Sequence, residues 1–111
     1  MSTRLPGAKY RRVFDRGRSV RGRLLVAWWY SSPDADRMAG VVVSKKTFHE
    51  AVDRNRAKRL MREAFRLLVK ADAAPAATEW VFIARAAMKD CRVADVMEEM
   101  GRCLRASSRG S

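Results

Sequence analysis

A chain of 111 residues has room for one core, and a hydrophobic fraction of 48% excludes a wholly disordered polypeptide. Lys and Arg number 24 against 12 acidic residues, a net charge of +12 that disfavours the compact state through self-repulsion. Such a charge points to a polyanionic partner, and no apolar run approaches the ~20 residues that span a bilayer, so nucleic acid is favoured over a membrane.

The chain opens Met-Ser-Thr-Arg-Leu-Pro, without the apolar stretch of a secretory signal, and a cytoplasmic location is expected. Pro6-Gly7 precede a short helix over about Ala8 to Arg16, with Gly17 as its stop. Residues 19–31 are strand-rich, and Leu24 to Tyr30 are β-prone and apolar on both alternating faces. Ser31 to Asp36, containing Pro33, read as a hairpin-type connection to a strand over Ala39 to Ser44. A long helix follows from about Glu50 to Ala71, then an alanine-rich loop broken by Asp72 and Pro75. A strand from Glu79 to Ala86 and a helix from Val93 to Ala106 complete the pattern, and Ser107 to Ser111 read as a frayed tail. The order α-β-β-β-α-β-α predicts one α+β domain over residues 1–111, its core about 5–105, with helices covering one face of a small mixed sheet.

The positive charge lies in two blocks. Residues 1–23 hold eight Lys or Arg and one acid, and residues 45–66 hold eight more against three acids. On the long helix, Ala57, Leu60, Met61, Ala64, Phe65 and Leu68 fall in one stripe that should pack on the sheet. Asn55, Lys58, Arg59, Arg62, Arg66 and Lys70 fall opposite, with Arg54 at the border of the apolar stripe and Arg56 on the flank of the basic face. Only Glu63 interrupts that face. A helix that merely needs to be soluble mixes its signs in i,i+4 pairs, whereas phosphates would relieve this single-sign repulsion. Arg is also the side chain suited to bidentate phosphate contacts and to stacking on bases. Lys45 and Lys46, at a strand end, read as further phosphate contacts.

Tyr10 and Phe14, four apart, share a helix face. Trp28 and Tyr30 share one face of their strand while Trp29 points to the other, and Trp80 and Phe82 share a face of the last strand. Most such aromatics are core, but rings beside basic residues also form platforms on which unpaired bases stack. No carboxylate pair has acid–base spacing, Ser44 and Lys45 lack a third orienting group, and the lone His49 reads as a helix-start residue. Cys91 and Cys103 fit no C-x-x-C pattern and read as free thiols, and no zinc-ligand cluster is present. A reaction involving this chain would take its chemistry from elsewhere.

The segment Arg54-Asn55-Arg56-Ala57-Lys58-Arg59-Leu60-Met61-Arg62-Glu63 resembles the R-N-R-x-x-K-R-x-x-R-E signature of the bacterial ribonuclease P protein family. Tyr10-Arg11-Arg12-Val13-Phe14 with Gly17, Val43-Ser44-Lys45-Lys46, Ala51-Val52 and Val81-Phe82-Ile83-Ala84-Arg85 resemble its flanking elements, in the right order. The connection Thr47-Phe48-His49-Glu50 departs from it, lacking the Gly common there and running one residue longer than in many relatives. Tyr10 and Trp28 stand where other aromatics are often found. The resemblance implies a ribosomal protein S5 domain 2-like fold with a left-handed β-α-β crossover, the uncommon hand. It implies a protein subunit, monomeric within its ribonucleoprotein, that supports removal of the 5′ leader from precursor tRNA. Catalysis would belong to a large RNA subunit with magnesium ions, and the protein itself would hold no cofactor. By position, Arg54, Asn55, Arg56, Lys58, Arg59 and Arg62 would contact that RNA. Tyr10, Phe14 and Trp28 would line a cleft for the single-stranded leader. The alternatives are a general or ribosomal RNA-binding protein without a processing role and, weakened by the missing acid–base constellation, a protein enzyme acting on nucleic acid.

Overall fold

The computed structural model describes residues 4–109. Helix α1 (Tyr10–Arg16) follows a single 3-10 turn at Gly7–Lys9. Strands β1 (Arg18–Arg21), β2 (Leu25–Ser31) and β3 (Met38–Val42) lead to helix α2 (Ala51–Lys70). Strand β4 (Thr78–Ala84), a second 3-10 turn and helix α3 (Val93–Arg109) complete the fold. The tail expected from Ser107 is helical through Arg109, while Gly110 and Ser111 lie outside the described residues.

The four strands form one sheet in the order β1-β2-β4-β3, antiparallel except for the parallel pair β3 and β4. Parallel neighbours need a crossover, and α2 supplies it. This order corrects the expected hairpin. The segment after β2 does not turn back to pair with it but crosses the start of β4, where the Ser32 N–H bonds the Ala77 carbonyl at 3.2 Å. The physical reason is β4 itself. Every residue of Thr78–Ala84 is buried except Ile83, which is half-buried, and a strand of that kind belongs in the interior of a sheet.

The expectation that all helices cover one face is also corrected. Helices α2 and α3 pack on the face carrying Leu25, Ala27, Val41, Trp80 and Phe82, forming the main core with Met61, Phe65, Met100 and Leu104. Helix α1 packs on the opposite face, around Val13 and Val81. Two ion pairs clamp it there. Glu79, with no exposed surface, accepts hydrogen bonds from Arg12 Nη2 at 2.6 Å and Lys9 Nζ at 3.4 Å, and the Arg12 guanidinium lies 5.0 Å from the centre of the Tyr30 ring. Arg12, part of the first basic block, is therefore a structural residue, and its bond to Glu79 raises its pKa. Two glycines permit the close approach of α1. A Cβ on Gly40 would strike the Tyr10 ring, and one on Gly17 would strike the carbonyls of Val13 and Trp29.

Candidate nucleic-acid interface

Helix α2 presents its apolar stripe as expected. Ala57, Met61, Ala64, Phe65 and Leu68 are buried, and Leu60 is half-buried. Asn55, Arg59, Arg66 and Lys70 are exposed, with Lys58 and Arg62 half-buried on the shoulder. The expected site residues then divide into two groups. Arg54 donates to the carbonyls of Phe48 and His49 at 2.9 and 2.7 Å, Arg56 donates to the Cys91 carbonyl, and Arg66 pairs with Glu63. That pairing lowers the pKa of Glu63, chiefly through the hydrogen bond from Arg66. Among the described residues, the side chains of Lys45, Lys46, Asn55, Lys58, Arg59 and Arg62 have no protein partner. The Arg62 Nε is buried with no acceptor at all, an orphan donor of the kind a ligand or water would satisfy. Arg56, Arg59, Arg62 and Arg66 line, with Arg4, an open groove of about 770 Å³ along the helix.

The loop that delivers α2 is well anchored despite lacking the glycine. Ser44 Oγ accepts the Thr47 N–H, three residues on, at 3.1 Å, and Phe48 is buried in the main core. Arg54 then ties the two carbonyls before the helix start. Lys45 and Lys46 stand exposed in this turn, just beyond the end of β3.

The second surface is the sheet face beneath α1. Cross-strand register sorts its side chains into rows. Met38, Glu79 and Tyr30 form the first; Gly40, Val81, Trp28 and Ser19 the second; Val42, Ile83, Val26 and Arg21 the third. Helix α1 covers the first row through Arg12 and the second through Tyr10 and Phe14. The Tyr10 hydroxyl accepts the Val41 N–H at 3.2 Å, and Phe14 meets Trp28 edge to face with centroids 5.4 Å apart. In the third row Val42, Ile83 and Val26 are half-buried and Arg21 is exposed. The apolar part of this row, Val42–Ile83–Val26, is a partly exposed strip about 10 Å long, two strand spacings of about 4.8 Å, beside the cluster that holds Phe14 and Trp28. Tyr10, Phe14 and Trp28 thus belong to one cluster, packed against Val13 and Val81. Tyr10 is the most engaged in packing, and Phe14 and Trp28 border the open row. Val26, Val42 and Ile83 were missed in the sequence because only the strand register brings them together.

Among the described residues no three His, Cys, Asp or Glu side chains come together, and no helix is long and apolar enough to cross a membrane. Burial pushes the Cys103 thiol up to about 11, so this cysteine is a packing residue rather than a nucleophile.

The family model for Ribonuclease P matches residues 5–107. The chain is 38% identical over 96 residues to the ribonuclease P protein component of Pelotomaculum thermopropionicum, covering 86% of this chain and 83% of that one. Its counterpart in Clostridioides difficile is 34% identical, with coverages of 78% and 75%. The solved structure of the Staphylococcus aureus RNase P protein superposes with a TM-score of 0.77 at 28% identity, covering 96% of each chain. The Thermotoga maritima RNase P protein shares the fold, with a TM-score of 0.77 at 24% identity and coverages of 92% and 94%.

Proposed function

Because this chain belongs to the ribonuclease P protein family, we propose that it binds a catalytic RNA subunit through α2 and the 5′ leader of precursor tRNA through the cleft beside α1, supporting cleavage at the mature 5′ end. The observation that carries this reading is the outward face of α2, where Lys58, Arg59 and Arg62 lie within two turns with no acidic partner and the Arg62 Nε has no acceptor. Phosphate oxygens supply that acceptor and relieve the repulsion. Lys45, Lys46 and Asn55 extend the same surface. Arg54 and Arg56 brace the N-terminal part of α2 through backbone carbonyls, and Arg66 changes partner from Glu63 to phosphate.

The protein's own part is binding and positioning. Hydrolysis belongs to the RNA subunit, which also holds the magnesium ions. The protein raises the fraction of precursor held at the RNA and neutralises phosphate charge that magnesium would otherwise have to screen. The protein works in the cytoplasm as a monomer within the ribonucleoprotein.

Replacing Arg59 and Arg62 together with Ala is expected to weaken RNA-subunit binding and flatten its salt dependence. The slope of log affinity against log salt should fall by about 0.7–0.9 for each phosphate that is no longer neutralised. An unchanged slope would remove both residues from the interface. Reconstitution tests the function as a whole: purified protein is mixed with a bacterial ribonuclease P RNA and a precursor tRNA at low magnesium. Restored cleavage at the mature 5′ end is expected. RNA binding without restored cleavage would leave a general RNA-binding protein, and cleavage by the protein alone would place the chemistry in this chain.

A further inference from the structure

The third row of the sheet has a basic side chain at its far end that the cleft does not use. Arg21 of β1 lies directly across from Val26, on the cleft face, and continues the line Val42–Ile83–Val26 onto the edge strand. Arg23 follows in the turn to β2. Both are exposed, and neither side chain has a protein partner among the described residues. The nearby acid does not neutralise them. Glu99 of α3 points its carboxylate at the turn backbone and accepts the N–H groups of Arg23, Leu24 and Leu25 at 3.0, 2.7 and 2.9 Å. Arg85 Nη1 donates to the Gly22 carbonyl at 2.7 Å from the other side. The turn is therefore held at four backbone groups, and Arg21 and Arg23 project from a fixed frame.

The two ends of the cleft are thus both basic, and they are not equivalent. Lys45 and Lys46 lie at the β3 end, beside the start of α2, where the RNA subunit binds. A leader crossing the third row therefore has its cleavage-proximal nucleotides at the β3 end and leaves over β1. We propose that Arg21 and Arg23 form an exit station that takes the phosphates of leader nucleotides upstream of those in the cleft, so that long leaders bind more tightly than short ones. This rests on the cleft being the leader site. The competing explanation is that these arginines only guard an exposed edge strand against pairing with another chain, as charged edge residues do.

Precursor tRNAs differing only in leader length, titrated against the assembled enzyme, decide the matter. With the natural protein, affinity should keep rising as the leader is extended past the cleft. In the Arg21→Gln, Arg23→Gln double variant it should match the natural protein for short leaders and then stop rising. The salt slope for long leaders should fall by about 0.7 for each single-strand phosphate that is no longer neutralised. Mature tRNA and RNA-subunit affinities should not change, which also reports that the variant is folded. An unchanged length dependence would overturn the exit station, as would a loss shared by mature tRNA or by the RNA subunit. The Phe14→Ala variant separates the two levels. If it weakens precursor selectively while the double variant changes nothing, the cleft stands and the exit fails. If it loses no precursor selectivity, the cleft reading itself fails.

Discussion

Phe65→Ala is expected to destabilise the protein by about 3–5 kcal/mol, the usual cost of removing a fully buried aromatic ring. Phe65 is 1% exposed and lies 5.8 Å, centroid to centroid, from Phe82, which in turn stacks on Trp80 at 5.7 Å with the rings 8° from parallel. The ring therefore joins α2 to β4, an inner strand of the sheet. Its loss leaves a cavity between two rigid elements that do not collapse easily onto it. Domains of this size have only about 5–15 kcal/mol to lose, so the variant should unfold at clearly lower denaturant and bind RNA weakly for want of folded protein. A denaturant titration reads this directly. A change below about 1 kcal/mol would mean that α2 is rotated from the position described, and that Arg59 and Arg62 do not face outward.

The orientation of α2 was legible in the sequence because a helix of 20 residues repeats its pattern of about 3.6 residues often enough to fix its faces. The same arithmetic fails for α1. Its 7 residues, with one fully buried side chain, Val13, fit either face of the sheet, and the side was decided by Glu79. That carboxylate is one acid in an apolar strand, at the alternate position facing away from α2 and α3. Its burial needs the cations that α1 and the turn before it carry, Arg12 and Lys9. An acid at such a position was a visible signal for a buried pair, but its partners lie 67 and 70 residues earlier in the chain.

The sheet order was hidden for a related reason. Local turn residues such as Pro33 and Asp34 mark where the chain bends and say nothing about which strand later fills the gap. That strand is β4, and its insertion between β2 and β3 brings Val42, Ile83 and Val26 into one row across the sheet. The aromatic wall was legible as i,i+4 spacing on a helix and alternation on a strand. The basic face of α2 was legible as a cluster, but the division of labour within it was not. Arg54, Arg56 and Arg66 look like Arg59 and Arg62 in the sequence. Only the folded chain supplies the carbonyls of Phe48, His49 and Cys91 and the carboxylate of Glu63 that engage them.

Phe14→Ala tests the assignment of the cleft. Stacking of an aromatic side chain on an unpaired base is worth roughly 1–3 kcal/mol per base. Phe14 is half-buried and supports Trp28 edge to face, so its removal takes away one wall and loosens the other. Mature tRNA has no leader, and in the proposed function the RNA subunit binds α2, on the opposite face of the sheet, so neither affinity should move. The measurement is the ratio of precursor to mature tRNA affinity in the assembled enzyme, for the natural protein and for a Phe14→Ala variant first shown to be folded. The ratio should drop by about 5- to 150-fold, the equivalent of that stacking energy, while RNA-subunit affinity stays constant. An equal loss for precursor and mature tRNA, leaving the ratio unchanged, would show that Phe14 is only a packing residue and that the leader does not lie in the cleft beside α1.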